Sequence, residues 1–102
     1  MIGTKLGNKN LFVSIGHVYN YGLNKACYLA YLLQCKKEAI KSDPQNNGKF
    51  HLTNHELIEG LQLSEQTIRS YKKWATENDM IKTELKGSPP KQWYTIKIKA
   101  TD

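Results

Sequence analysis

Long apolar runs are missing from this chain of 102 residues. A membrane-spanning helix needs about 18–20 consecutive apolar residues, and the densest stretch, Ala26-Cys27-Tyr28-Leu29-Ala30-Tyr31-Leu32-Leu33, is less than half that long. A secretory leader is missing too: Lys5 and Lys9 are followed only by a short apolar run at residues 11–15, too brief for an h-region. The expectation is a cytoplasmic protein with no membrane partner. Cysteine is scarce, with two in the chain, Cys27 and Cys35. Eight positions along one helix separate Cα atoms by about 12 Å, beyond the roughly 7 Å that a disulfide tolerates. Both are therefore read as small buried apolar side chains.

Catalytic signatures are also absent. The sequence has no Gly-rich phosphate loop, no Cys-x-x-Cys pair and no nucleophile elbow. His51 and His55 are four apart, but the interval crosses from an extended segment into a helix through Thr53, and His17 lies elsewhere. No enzyme activity, metal or cofactor is expected. Acidic residues are few, with nine Asp+Glu against 15 Lys+Arg, a net charge of +6 and a pI near 9.3. That balance points to polyanions or anionic surfaces as partners. The positive charge sits in residues 1–48 and 64–99, while the stretch between them is slightly negative.

What is present is enough for one modest core, since 39% of residues are hydrophobic and aromatic residues recur along the chain. The first ten residues, with two glycines and two asparagines, read as a flexible N-terminal arm. Residues 11–15 read as a short strand, and residues 17–22 as a connection whose Tyr19 and Tyr21 could pack a subunit interface. Asn24 is a good N-cap with Leu23 as a hydrophobic staple, opening a helix that is apolar nearly all round and then turns polar. Residues 42–48 form a loop, and Phe50-His51-Leu52 a minimal strand. Thr53 and Glu56 make a capping box for a second, short helix that carries Leu57, Ile58 and Leu61 inward and meets Gly60 near its end. Ser64 caps a third helix, with Ile68, Tyr71 and Ala75 as its apolar stripe and Trp74 alongside. Residues 80–86 and 93–99 are two strands around a Gly/Pro loop, hence a hairpin.

The stretch Leu52-Thr53-Asn54-His55-Glu56-Leu57-Ile58-Glu59-Gly60-Leu61-Gln62-Leu63-Ser64-Glu65-Gln66-Thr67-Ile68-Arg69 resembles the helix-turn-helix of winged-helix DNA-binding proteins. Tyr71-Lys72-Lys73-Trp74-Ala75-Thr76-Glu77-Asn78-Asp79-Met80-Ile81 resembles the tail of that family's recognition helix and the first wing strand. Upstream, the apolar strand, Tyr21-Gly22-Leu23-Asn24-Lys25-Ala26 and the Tyr/Leu-rich helix resemble the N-terminal domains of phage and plasmid replication initiators. Two departures stand out: Asp79 where the family has glycine in a left-handed turn, and Trp74 beside Ala75 where the family has leucine.

The resemblance implies an α+β winged helix-turn-helix with three helices, a C-terminal β-hairpin wing and a short N-terminal strand. It would occupy residues 11–99 as a single domain, with residues 100–102 as a C-terminal tail. The implied function is non-enzymatic binding of double-stranded DNA. The task would be origin recognition and replication initiation, or transcription regulation, for a phage, plasmid or other mobile element. Recognition-helix contacts would come from Gln66, Thr67, Arg69, Ser70, Lys72 and Lys73, whose side chains can pair with base edges or phosphates. Thr67 also fits a half-buried place against the preceding helix. Wing contacts would come from Lys86, Ser88, Lys91 and Gln92, and backbone contacts at helix starts from Thr53, Asn54 and Ser64. The alternative is a winged helix used for docking to a partner protein in a replication or regulatory complex. A homodimer reading two half-sites fits either function.

Overall fold

In the computed structural model, which describes residues 2–6 and 9–98, the longest helix is also the one around which the others are arranged. The order of elements is β1 (Ile2–Leu6), β2 (Lys9–Val13), α1 (Ile15–Tyr21), α2 (Leu23–Ser42), a 3-10 turn (Pro44–Asn46), β3 (Phe50–His51), α3 (Asn54–Leu61), α4 (Glu65–Glu77), β4 (Ile81–Lys86) and β5 (Lys91–Ile96). Helix α2 buries Ala26, Tyr28, Leu29, Ala30, Tyr31, Leu32 and Cys35, the all-round apolar segment expected from the sequence. It touches β2, α1, α3, β3 and β5. Two antiparallel sheets flank it, β1-β2 and a three-stranded sheet in the order β3-β5-β4.

The class is α+β, with four α-helices among the described residues where three were expected. The extra one is α1. Residues 11–15 read as a strand, but β2 ends at Val13, and Ser14 becomes an N-cap whose hydroxyl accepts from the His17 amide at 3.3 Å. Gly22, at φ 89°, then ends α1 and begins α2. Its amide donates to the Val18 carbonyl at 2.9 Å, and its carbonyl accepts from the Ala26 amide at 3.0 Å. Because one glycine serves both helices, Asn24 is not the cap, and Leu23, 57% exposed, is not a staple.

Residues 1–10, expected as an arm, contain strand residues. Ile2–Leu6 pairs antiparallel with Lys9–Val13, and Leu11 and Val13 are buried against α2. Lys9 bonds Glu38 of α2, which adds a polar tie to the apolar one. Residues 1, 7 and 8 of that arm lie outside the described residues. So do residue 99 of the expected last strand and the expected tail at 100–102.

The C-terminal half follows the sequence more closely. Thr53 forms the full capping box with Glu56, and Ser64 accepts from the Thr67 amide at 3.2 Å to cap α4. The hairpin is present as β4 and β5, with Tyr94 and Ile96 buried as the alternation of residues 93–98 required. Tyr94 stacks on Phe50 of β3 with ring centroids 5.5 Å apart. Asp79 does adopt the left-handed conformation, at φ 57°, and Lys97 donates to its carboxylate at 2.6 Å. Ala75 is fully buried, while Trp74 lies beside it against Tyr21, edge to face at 5.2 Å. Tyr21 thus makes an internal contact, and Tyr19 is 90% exposed.

Gly60 is the last residue but one of α3, near its end as expected. Gln62, at φ 57°, ends α3. A Cβ at Gly60 would stand 2.7 Å from Cε2 of Tyr31 and 2.8 Å from its hydroxyl, so glycine here lets α3 approach α2. Gly60→Ala gains about 1 kcal/mol of helix propensity but has to displace a buried ring. Overpacking of this kind costs about 1–3 kcal/mol. A net loss of stability is expected in urea denaturation, and Gly60→Ala at or above wild-type stability would contradict this packing.

The core is sensitive to base. Burial, with a smaller contribution from Cys35, pushes Tyr94 up to about 12, and burial pushes the Cys35 thiol up to about 12. Burial also raises Tyr28. The folded state keeps protons that the unfolded chain releases near the ordinary values of 9.0 and 10.0. Above that point the unfolded state binds fewer protons, so stability falls as pH rises. Lys72 is shifted the opposite way by desolvation and opposes this, but its ammonium is only half-buried. The urea midpoint should be lower at about pH 10.5 than at about pH 8, and Tyr94→Phe should narrow the difference.

Candidate nucleic-acid interface

Helices α3 and α4 are joined by three residues, and the physical work of that turn is done by caps. Gln62 closes α3 in a left-handed conformation, its amide donating to the Ile58 carbonyl at 2.9 Å. Ser64 opens α4, and its hydroxyl lies 2.8 Å from the Thr67 hydroxyl. The cap fixes which side of α4 faces outward. Ile68 and Ala75 are buried and Tyr71 is half-buried, so the opposite face exposes Gln66, Arg69, Ser70 and Lys73. These follow the i, i+3, i+4, i+7 spacing of one helix face. Thr67 does not join them: it is half-buried, and its hydroxyl is engaged with Ser64.

The exposed cations are partly balanced. Arg69 donates to Glu65 at 2.8 Å, and Lys73 lies 3.9 Å from Glu77. Both pairs are at i, i+4 on the surface, where such contacts contribute only about 0–1 kcal/mol and can be exchanged for a stronger anion.

On the hairpin, Lys86 and Lys91 face each other across the last register position before the turn. Lys86 lies 3.2 Å from Glu84, and the bond from Lys86 holds the Glu84 carboxyl below its usual range. Ser88 and Lys91 are exposed at the turn. Gln92 faces another way. It is half-buried, and its Oε1 accepts from Lys72 Nζ at 2.9 Å, so the helix and the hairpin are bonded to each other by two residues expected to act separately. The Lys72 ammonium also lies 5.8 Å from the centroid of the Tyr94 ring, and partial desolvation lowers its affinity for a proton.

Thr53, Asn54, Lys72, Lys91 and Gln92 line one groove of about 390 Å³ between the start of α3, the side of α4 and the hairpin. The Leu52 amide donates to the Gln92 carbonyl at 3.2 Å, which is what holds the start of α3 beside β5. A second depression, lined in part by Asn54, Arg69, Lys72 and Lys73, adjoins the first through Asn54 and Lys72. Lys86 and Ser88 line a third hollow at the hairpin tip, which shares Lys91 with the groove. Gln66 and Ser70 lie on the exposed face of α4 and line none of the three. Most of the expected residues therefore fall on one continuous side of the molecule.

His51 is part of the groove and was not expected there. It packs edge to face on Trp93 at 5.2 Å. The alternation of Phe50, His51 and Leu52 carried the signal, because a buried Phe50 and Leu52 require His51 to point outward. Pro90 also lines the groove. Among the described residues, no group of three His, Cys, Asp or Glu side chains comes together as metal ligands, and no helix is long and apolar enough to cross a membrane. Comparison with protein-family profiles, with characterised proteins and with solved structures finds no match to this chain.

Proposed function

We propose that this protein is a winged helix-turn-helix that binds double-stranded DNA and performs no chemistry on it. In this reading α4 lies in the major groove, and the β4-β5 hairpin is the wing that meets the adjacent backbone. The observation that carries it is the convergence of the exposed face of α4, the start of α3 and the basic hairpin on one side of the fold. Helix α4 has 13 residues and so is about 20 Å long, and a major groove about 12 Å wide admits an α-helix. Arg69 and Gln66 supply the paired donors and acceptors that distinguish guanine and adenine, and Lys73 supplies charge for phosphate. In this reading α2, α3 and α4 are the three helices of the winged helix-turn-helix and the β4-β5 hairpin is its wing. Helix α1 and the β1-β2 hairpin are additions to that frame. Origin recognition or transcription control for a mobile element rests on the sequence resemblance.

A second reading, docking to a partner protein, has one observation in its favour. Phe12 and Ile40 are 55% and 45% exposed and line a groove with Ala30 and Leu33, on a surface that the DNA-binding reading does not use.

Fluorescence anisotropy of a labelled random duplex at two salt concentrations separates the readings. Wild-type binding is expected to weaken steeply with salt, because each neutralised phosphate contributes about 0.9 to the log–log slope. Arg69→Ala with Lys73→Ala should flatten that slope by about one to two. No binding at low salt by the folded protein would reject the DNA reading in favour of docking. Glu65→Gln releases Arg69 from its surface ion pair and removes a like charge from the phosphate path. It should tighten random-duplex binding about two- to fivefold, the range that corresponds to a surface pair of about 0.5–1 kcal/mol.

A further inference from the structure

We infer that the groove between the start of α3, α4 and the hairpin seats one backbone phosphate, with Lys72 as its ligand and Gln92 as the residue that positions Lys72. The inference rests on the DNA-binding reading and assigns within it two roles that the sequence does not separate.

The first ground is charge balance. On this side of the molecule Arg69, Lys73 and Lys86 each have a carboxylate partner, Glu65, Glu77 and Glu84 respectively. Lys91 has no carboxylate partner among the described residues either, but it is exposed to water; Lys72 is held differently. Its bonded partner is the neutral Gln92 amide, its other neighbour is the Tyr94 ring, and among the described residues no carboxylate lies within ion-pair distance of it. It is also the one of these five cations that is half-buried. A cation withdrawn from water without a counter-charge is left with part of its desolvation cost uncompensated. An anion arriving in the groove recovers that cost, which a solvated lysine with a carboxylate partner cannot offer.

The second ground is geometry. The bond to Gln92 at 2.9 Å and the Tyr94 ring at 5.8 Å hold the ammonium against the groove wall, so little side-chain freedom is left to lose on binding. Lys91 lies across the same groove and is exposed, giving a second cation for the same anion. Glu56 also lines the groove, but its carboxylate accepts from the Thr53 amide at 2.9 Å as part of the capping box. Gln92 has its oxygen committed to Lys72. The role assigned to it here is the one its oxygen performs, through Lys72.

A double-mutant cycle in the salt-dependent anisotropy assay tests this. Lys72→Met keeps the stem against Tyr94 and removes the ammonium, and Gln92→Met keeps the volume and removes the acceptor. Thermal melts establish that each variant is folded. Lys72→Met should weaken random-duplex binding about tenfold and reduce the salt slope by about one, as loss of one phosphate contact requires. Gln92→Met should weaken wild-type binding about threefold with the slope kept, and should change nothing further in the Lys72→Met background. A wild-type slope in Lys72→Met overturns the phosphate seat and leaves DNA binding standing. An equal loss from Gln92→Met in both backgrounds overturns the positioning role. Absence of salt-sensitive duplex binding by the wild type overturns this inference together with the reading beneath it.

Discussion

The buried stretch of α2 is the constraint on which the other elements depend. Tyr28, Leu29 and Leu32 are almost wholly enclosed, and enclosing a helix that is apolar nearly all round takes cover from several directions. The β1-β2 hairpin covers one side, α1 another, and α3 with the three-stranded sheet the rest. Close approach of α3 is bought with Gly60, whose missing Cβ makes room for Tyr31. The cover is not chemically ideal. Among the described residues the buried hydroxyls of Tyr28 and Tyr94 find no hydrogen-bond partner, and an unmade bond of this kind costs about 1–3 kcal/mol. Aromatic stacking of Tyr94 on Phe50 offsets part of that cost.

The same packing places the candidate interface. Tyr94 faces the core from β5, and its neighbours in sequence, Gln92 and Trp93, are left half-exposed beside α4 and β3. From there Gln92 reaches Lys72 and Trp93 meets His51. The hairpin is therefore not an independent basic finger but one side of a groove whose other sides are α3, α4 and the end of β3. Most of the cations that line or border it are neutralised by nearby carboxylates in the free protein. Such exposed pairs cost little to break and restrain nonspecific attraction to anions. Among the described residues Lys72 and Lys91 are the exceptions, Lys91 exposed and Lys72 held in place by a neutral amide.

Much of the C-terminal half was legible from local patterns. Thr53 with Glu56, Ser64 before an amphipathic run, and alternation around Tyr94 each encode a cap or a strand within a few residues, and the two caps are closed by side-chain bonds three residues long. The N-terminal half was less legible. Ser14 stood inside an apolar run that looked like strand, yet it caps α1. The glycines and asparagines of the first ten residues looked like a loose arm, whereas Ile2–Leu6 and Lys9–Val13 pair as strands. Gly60 and Gly22 show why the rest was not legible: a glycine marks either a stop, as Gly22 does, or a close approach, as Gly60 does, and only its neighbours in space tell which.

On the interface the division is similar. The sequence by itself determined the net charge, the polar residues at helical spacing along α4 and the caps that set its register, because these depend on residue order and on hydrogen bonds a few residues long. It did not determine that Thr67 turns toward Ser64, that Arg69 is paired with Glu65, or that His51 joins the groove. Nor could it show that Lys72 and Gln92, 20 positions apart, are one bonded unit. That was decided only when β5 packed between β3 and β4 against α2. Burial of Tyr94 then fixed the direction in which every other side chain of that strand points.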